Sequence, residues 1–135
     1  RLHTGNDNYI EAGFGKDYIQ NWTWHADGIY KGGAGNDRFS VADGDIYGES
    51  GADTFQIVPV YTDVNGINGP GIDEGSSVYA NIVDFEVGVD RVVGSGLPIL
   101  SEVRTEGIWL GAEGARWSMF IEGVYDVSQL NLTTT

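Results

Sequence analysis

A short unit recurs through the first half of this chain at a spacing close to nine residues, and that spacing limits the fold more than any other property. The full rows are LHTGNDNYI (2–10), AGFGKDYIQ (12–20), WTWHADGIY (22–30), GGAGNDRFS (32–40) and GESGADTFQ (48–56), with a shortened row, VADGDIY (41–47), before the last. Aligned on the carboxylate, the full rows carry Asp7, Asp17, Asp27, Asp37 and Asp53. Two residues later each has a large apolar side chain: Tyr9, Ile19, Ile29, Phe39 and Phe55. The short row places Ile46 in the apolar position and Gly44 where the others have Asp, with Asp43 and Asp45 beside it.

A unit this short cannot hold a helical hairpin. It accommodates a loop and one very short strand, the half-turn of a parallel β-solenoid, in which stacked strands bury together the apolar face that none buries alone. The expected fold is therefore all-β: a parallel β-roll over 1–57, followed by a β-rich C-terminal capping region over 58–135. Glycines in the loops permit positive φ and let backbone carbonyls turn inward. Loops on one edge come from alternate rows, so the carboxylates should form two columns, Asp17, Asp37 and Asp53 on one edge and Asp7 and Asp27 on the other. Stacked carboxylates repel unless a cation separates them. Ca²⁺ takes six to eight oxygen ligands, backbone carbonyls included, and tolerates irregular geometry, whereas Mg²⁺ demands a tight octahedron. Transition metals prefer His or Cys, and the chain has only His3 and His25 and no cysteine. The alternative for these loops is a set of plain turns without metal, but turn chemistry alone would accept Asn, Ser or Gly where Asp recurs.

The charge balance agrees with a cation partner. Twenty acidic residues face seven basic ones in a chain of 135, a net charge of −13, which disfavours nucleic acid and anionic membrane surfaces. No apolar run is long enough to span a bilayer. The absence of cysteine excludes disulfides and thiolate metal sites. Arg1 opens the sequence without a Met, which reads as a fragment or a processed domain.

These rows resemble the G-G-x-G-x-D-x-U-x nonapeptide of the RTX (hemolysin-type) calcium-binding family. GGAGNDRFS matches every defined position; GESGADTFQ departs at Glu49 and AGFGKDYIQ at Ala12. ANIVDFEVGVDRV (80–92) is similar to the segment that follows the repeats in secreted RTX proteins, and WSMFIEGVYDVSQLNL (117–132) to their closing stretch. The resemblance implies a cation between same-edge loops, held by carbonyls and by one Asp from each. One such site would use Gly13, Gly15 and Asp17 with Gly32, Ala34 and Asp37. A second would use Gly33, Gly35 and Asp37 with Gly48, Ser50 and Asp53. On the other edge His3, Gly5 and Asp7 would pair with Trp22, Trp24 and Asp27, where the family's glycines are missing. The resemblance also implies export by a type I secretion system and calcium-driven folding outside the cell or at its surface.

Beyond the repeats, YANIVDFEV, RVV, GIWLG and RWSMFIEGV read as strands separated by glycine turns. The segment VNGINGPGIDEGSS (64–77) reads as a solvated loop. Trp22 and Trp24, beside His25, suit stacking against a saccharide, which makes a polysaccharide-binding module the main competing function; the alternative is that they cover the edge of the fold. A segment of a surface adhesin or S-layer-like protein is a third reading. There is no H-E-x-x-H, G-x-S-x-G, cysteine nucleophile or phosphate-binding loop, so this chain is expected not to be an enzyme, and any catalytic domain would lie upstream.

Overall fold

The computed structural model describes residues 9–21, 28–41, 44–58, 80–94, 99–112 and 117–133. Eleven strands occur among them: β1 Tyr9–Glu11, β2 Tyr18–Asn21, β3 Gly28–Lys31, β4 Arg38–Val41, β5 Gly44–Tyr47, β6 Thr54–Gln56, β7 Ala80–Ile82, β8 Arg91–Val93, β9 Ile99–Val103, β10 Gly107–Ala112 and β11 Trp117–Glu122. The described part is all-β apart from a single turn of 3-10 helix at Val127–Leu130.

Two sheets share the strands. The first runs β1-β3-β5-β7-β11-β10-β9 and the second β2-β4-β6-β8. From β1 to β8 consecutive strands lie in opposite sheets, and every pairing among them is parallel. Three or four residues per strand bury little, so the energy comes from stacking. Ile19, Phe39, Phe55 and Val92 are in register across the second sheet and are all buried. Phe39 and Phe55 stack with ring centroids 5.2 Å apart and 12° between planes. Neither sheet breaks near residue 57: β7 pairs with β5, and β8 with β6. Beyond β8 the pattern changes to an antiparallel meander, β9-β10-β11, joined to the first sheet by the parallel β11–β7 pair. Ile108, Leu110, Met119 and Ile121 extend the core there.

The first sheet departs from the expected phase. Tyr9 and Ile29 do not point inward; Tyr9 is 53 % exposed, and Ile10 and Tyr30 are the buried residues. Ile10 and Tyr30 are in register, as are Tyr30 with Ile46 and Ile46 with Ile82. In a strand a one-residue shift exchanges the two faces. The shift follows from the small residues Gly28, Gly44 and Ala80, which align across β3, β5 and β7 and are buried. A Cβ at Gly44 would come within 2.8 Å of the Tyr30 ring. Gly44 is thus a strand residue matched to Gly28, not a degenerate loop Asp, and Asp45 faces outward. The outward Tyr9 ring has its own partner, because the Lys31 ammonium lies over both Tyr9 and Tyr47.

The exposed edge of β8 is covered by the C-terminal segment. The Asp126 carboxylate accepts the Ser128 N–H at the start of the 3-10 turn, Leu130 is fully buried, and Thr133 bridges to Val93. Covering an edge in this way removes a template for pairing with other chains.

Candidate metal centre

The loops leading into β2, β4 and β6 repeat one construction. Gly13 and Gly33 have φ of 91° and 85°, and Gly15, Gly35 and Gly51 have φ of 95°, 115° and 105°. Side chains rarely adopt these values. Successive loops nest so closely that a Cβ on Gly33 would lie 2.2 Å from the Gly13 carbonyl oxygen. One on Gly35 would lie 2.3 Å from that of Gly15, and one on Gly51 2.1 Å from that of Gly35. The carbonyls of Gly13, Gly15 and Gly35 are therefore directed at the next layer. Glu49 occupies the remaining place in this series and is held at φ 65°. Ala34 is half-buried and Ser50 exposed in the same loops. Asn36 ties two layers together by accepting the Ala52 N–H.

The carboxylates form a ladder. Asp37 Oδ1 accepts the Asp17 backbone N–H at 2.9 Å, Asp53 Oδ1 the Asp37 N–H at 2.9 Å, and Asp90 Oδ1 the Asp53 N–H at 2.8 Å. Asp37, Asp53 and Asp90 are buried, with 2 %, 1 % and 0 % of their surface exposed. The second oxygens of Asp17, Asp37 and Asp53 are also buried and accept no hydrogen bond. Those of Asp37 and Asp53 turn back over Gly32 and Gly48, where an added Cβ would sit 2.5 Å away. At the start of the loops into β4 and β6 the buried glycines Gly32 and Gly48 thus make room for a carboxylate oxygen.

A buried carboxylate oxygen with no partner is costly, and the acids register it. Burial pushes Asp37 up to about 6, and the Asp17 and Glu49 charges add to the rise, while the hydrogen bond from the Asp17 N–H opposes it. Burial pushes Asp53 further, to about 8, helped by Asp90, Asp37 and Asp84 and opposed by the Asp37 N–H. Asp90 is also raised, first by burial. Lys16, Arg38 and Arg91 border a cavity of about 300 Å³ that opens on Asp37 and Asp53. Arg38 is engaged by Gln56 and Arg91 by Thr54.

Among the described residues no three acidic or histidine side chains converge on one point. The ladder offers one carboxylate per layer, so any further donors would be backbone carbonyls. An all-oxygen set that includes buried carboxyl oxygens without hydrogen-bond donors fits a hard cation. Of the residues expected in the sites, Gly13, Gly15, Asp17, Gly32, Gly33, Ala34, Gly35, Asp37, Gly48, Ser50 and Asp53 lie together on this edge. Gly5, Asp7, Asp27, Trp22 and Trp24 fall outside the described residues.

Two acids of this edge were not expected. Asp90 continues the ladder 37 residues beyond Asp53. Its signal was its offset, since buried Val92 follows it by the same two positions that separate Asp53 from Phe55. Asp84 closes the last layer, its oxygens accepting the N–H groups of Gly48 at 2.8 Å and Glu49 at 3.0 Å. The second oxygen of Asp90 accepts the Glu86 N–H at 2.8 Å. At this end the protein satisfies its own carboxylates. No protein-family model matches the chain, and none of the curated proteins matches it.

Proposed function

We propose that the chain is a calcium-dependent folding module, a parallel β-roll of the RTX kind closed by a β-rich cap. The observation that carries this reading is the row of buried second oxygens on Asp17, Asp37 and Asp53, each lacking a hydrogen-bond donor. Ca²⁺ between the Asp17 and Asp37 layers, and between the Asp37 and Asp53 layers, would supply the missing partner. The reading is supported by the close stacking of the loops, in which the carbonyls of Gly13, Gly15 and Gly35 lie against the glycines of the next layer.

Without a cation, ionised carboxylates in adjacent layers repel, and strands of three or four residues offset little backbone entropy. Cation binding then becomes folding free energy. Such a module keeps the chain unfolded where calcium is scarce and folds it where calcium is abundant. That suits passage through a type I secretion system to the extracellular space or the cell surface. In this reading the chain is itself no catalyst and serves as a folding and secretion domain within a larger protein.

The test is a calcium titration of chelator-treated protein followed by far-UV circular dichroism, with magnesium as control. A cooperative gain of β signal with calcium and not with magnesium is expected. A chain already folded in chelator and unmoved by calcium would overturn the proposal.

A further inference from the structure

The outward face of the first sheet carries an arrangement that calcium-driven folding does not use. Asp45, Asn81, Phe120, Trp109 and Glu102 are partners across five neighbouring strands, β5, β7, β11, β10 and β9. The residues alternating with them, Ile46, Ile82, Met119, Ile121, Ile108 and Leu110, fill the core. Trp109 and Phe120 therefore project away from the interior, with ring centroids 4.8 Å apart and planes inclined at 55°. Cross-strand aromatic pairs do stabilise hairpins, by roughly 0.2–1 kcal/mol, and a pair alone would signify no more than that.

Here the pair forms part of the wall of a cavity of about 650 Å³ that also meets Asn81, Arg104, Glu106 and Glu122. That volume lies within the roughly 300–1,000 Å³ usual for small-ligand sites. The polar groups are held in place beforehand. The Asn81 amide donates to Glu122 Oε2 at 2.8 Å and to Asp45 Oδ1 at 3.2 Å, and Arg104 is paired with Glu102.

We propose that this cavity, between Trp109 and Phe120 and the polar groups of Asn81, Arg104, Glu106 and Glu122, binds a neutral saccharide. An aromatic face accepts the C–H face of a pyranose ring. Fixed carboxylates, an amide and a guanidinium accept from and donate to neighbouring hydroxyls. The charge selects among sugars. Among the described residues the cavity wall sets Glu106 and Glu122 against Arg104, itself paired with Glu102, and Asp45 lies against Asn81, so uronate, sulfate or phosphate groups meet repulsion. The net negative charge would also draw a cationic sugar, so retardation by chitosan without any neutral polymer would count against the proposal. The proposal rests on residues other than Trp22 and Trp24 and does not depend on the calcium reading.

The test is affinity electrophoresis of the full chain in saturating calcium. The gels contain laminarin, xyloglucan, galactomannan or dextran, with alginate and dextran sulfate as anionic polymers and chitosan as a cationic one. Retardation by at least one neutral polymer is expected. Trp109→Ala should weaken it about tenfold or more, and Glu106→Ala, in the exposed turn before β10, several-fold with unchanged circular dichroism. No retardation by any neutral polymer, retardation by the anionic polymers alone, or undiminished retardation of folded Trp109→Ala would each overturn the proposal. Should Trp109→Ala fail to fold, undiminished binding by Glu106→Ala would do the same.

Discussion

Replacing Asp37 by Asn separates the two roles that its carboxylate has in the proposed module. The amide oxygen can still accept the Asp17 N–H, as Oδ1 does now at 2.9 Å, so the ladder keeps its shape. What disappears is a buried negative charge. A carboxyl raised from 3.8 to about 6 costs the folded, ionised protein about 3 kcal/mol in a dry interior. The cavity opening on Asp37 admits water and screens that to about 1–2 kcal/mol. In chelator at pH 7.5, the Asp37→Asn chain should therefore regain its β signal at a lower concentration of a stabilising osmolyte than the parent chain, read by circular dichroism. In calcium the order reverses. Asp37 would face two cation gaps, and losing a charged oxygen ligand costs about 1.5–3 kcal/mol, so the calcium midpoint should rise about tenfold or more. Asp17→Asn, at the outer layer, faces one of these gaps and should shift the midpoint less. A higher osmolyte requirement in chelator together with an unchanged calcium midpoint would refute the reasoning and leave Asp37 a structural acid.

The same acids make the metal-free chain sensitive to pH in an unusual direction. Their folded pKa values lie above the ordinary 3.8, so their stabilising protonation is complete below about pH 4 and is lost as pH rises through about 6 for Asp37 and about 8 for Asp53; chelated protein should gain β signal on acidification from pH 8 to 5, and calcium affinity should fall over the same range as protons compete. Gly35→Ala puts a Cβ 2.3 Å from the Gly15 carbonyl at φ 115° and should destabilise the calcium-bound protein by about 2 kcal/mol or more, read as a lower melting temperature. Glu49→Gly relieves a side chain held at φ 65° and removes a charge that raises Asp37; it should stabilise the protein by about 1 kcal/mol, measured by denaturation in calcium.

The second sheet was legible because one alignment served it throughout. Asp17, Asp37 and Asp53 each precede a buried residue by two positions, and Ile19, Phe39 and Phe55 stack as that offset requires. Carrying the offset to the first sheet misplaced Tyr9 and Ile29, because small buried residues at Gly28, Gly44 and Ala80 set the phase there. The stretches GIYK, GDIY and ANI share a small-x-apolar pattern that repeats the true register. Strand β9, ILSEV, was missed since its burial does not alternate cleanly and Leu100 and Val103 remain exposed. Asp84 and Asp90 lie beyond the glycine-rich rows, so composition gave them no emphasis. Only the return of β7 and β8 to the two sheets brings them to the ladder.

That return sets where the ladder stops. The Asp17 and Asp37 layers, and the Asp37 and Asp53 layers, are flanked on both sides by carboxylate oxygens without donors. The step from Asp53 to Asp90 is not, because both Asp90 oxygens accept N–H groups, from Asp53 and from Glu86. A carboxylate already satisfied by the protein gains little from a cation, so this edge should bind in the first two gaps and not in the third. Asp90→Asn tests the distinction. Its amide can accept only one of the two N–H groups and leaves the other, buried at Asp53 or part-buried at Glu86, without this partner, at a cost of about 1–3 kcal/mol. The variant should melt earlier yet bind the same number of calcium ions by titration calorimetry. Loss of one ion from the stoichiometry would place a cation beside Asp90 and contradict a ladder closed by the protein's own amides.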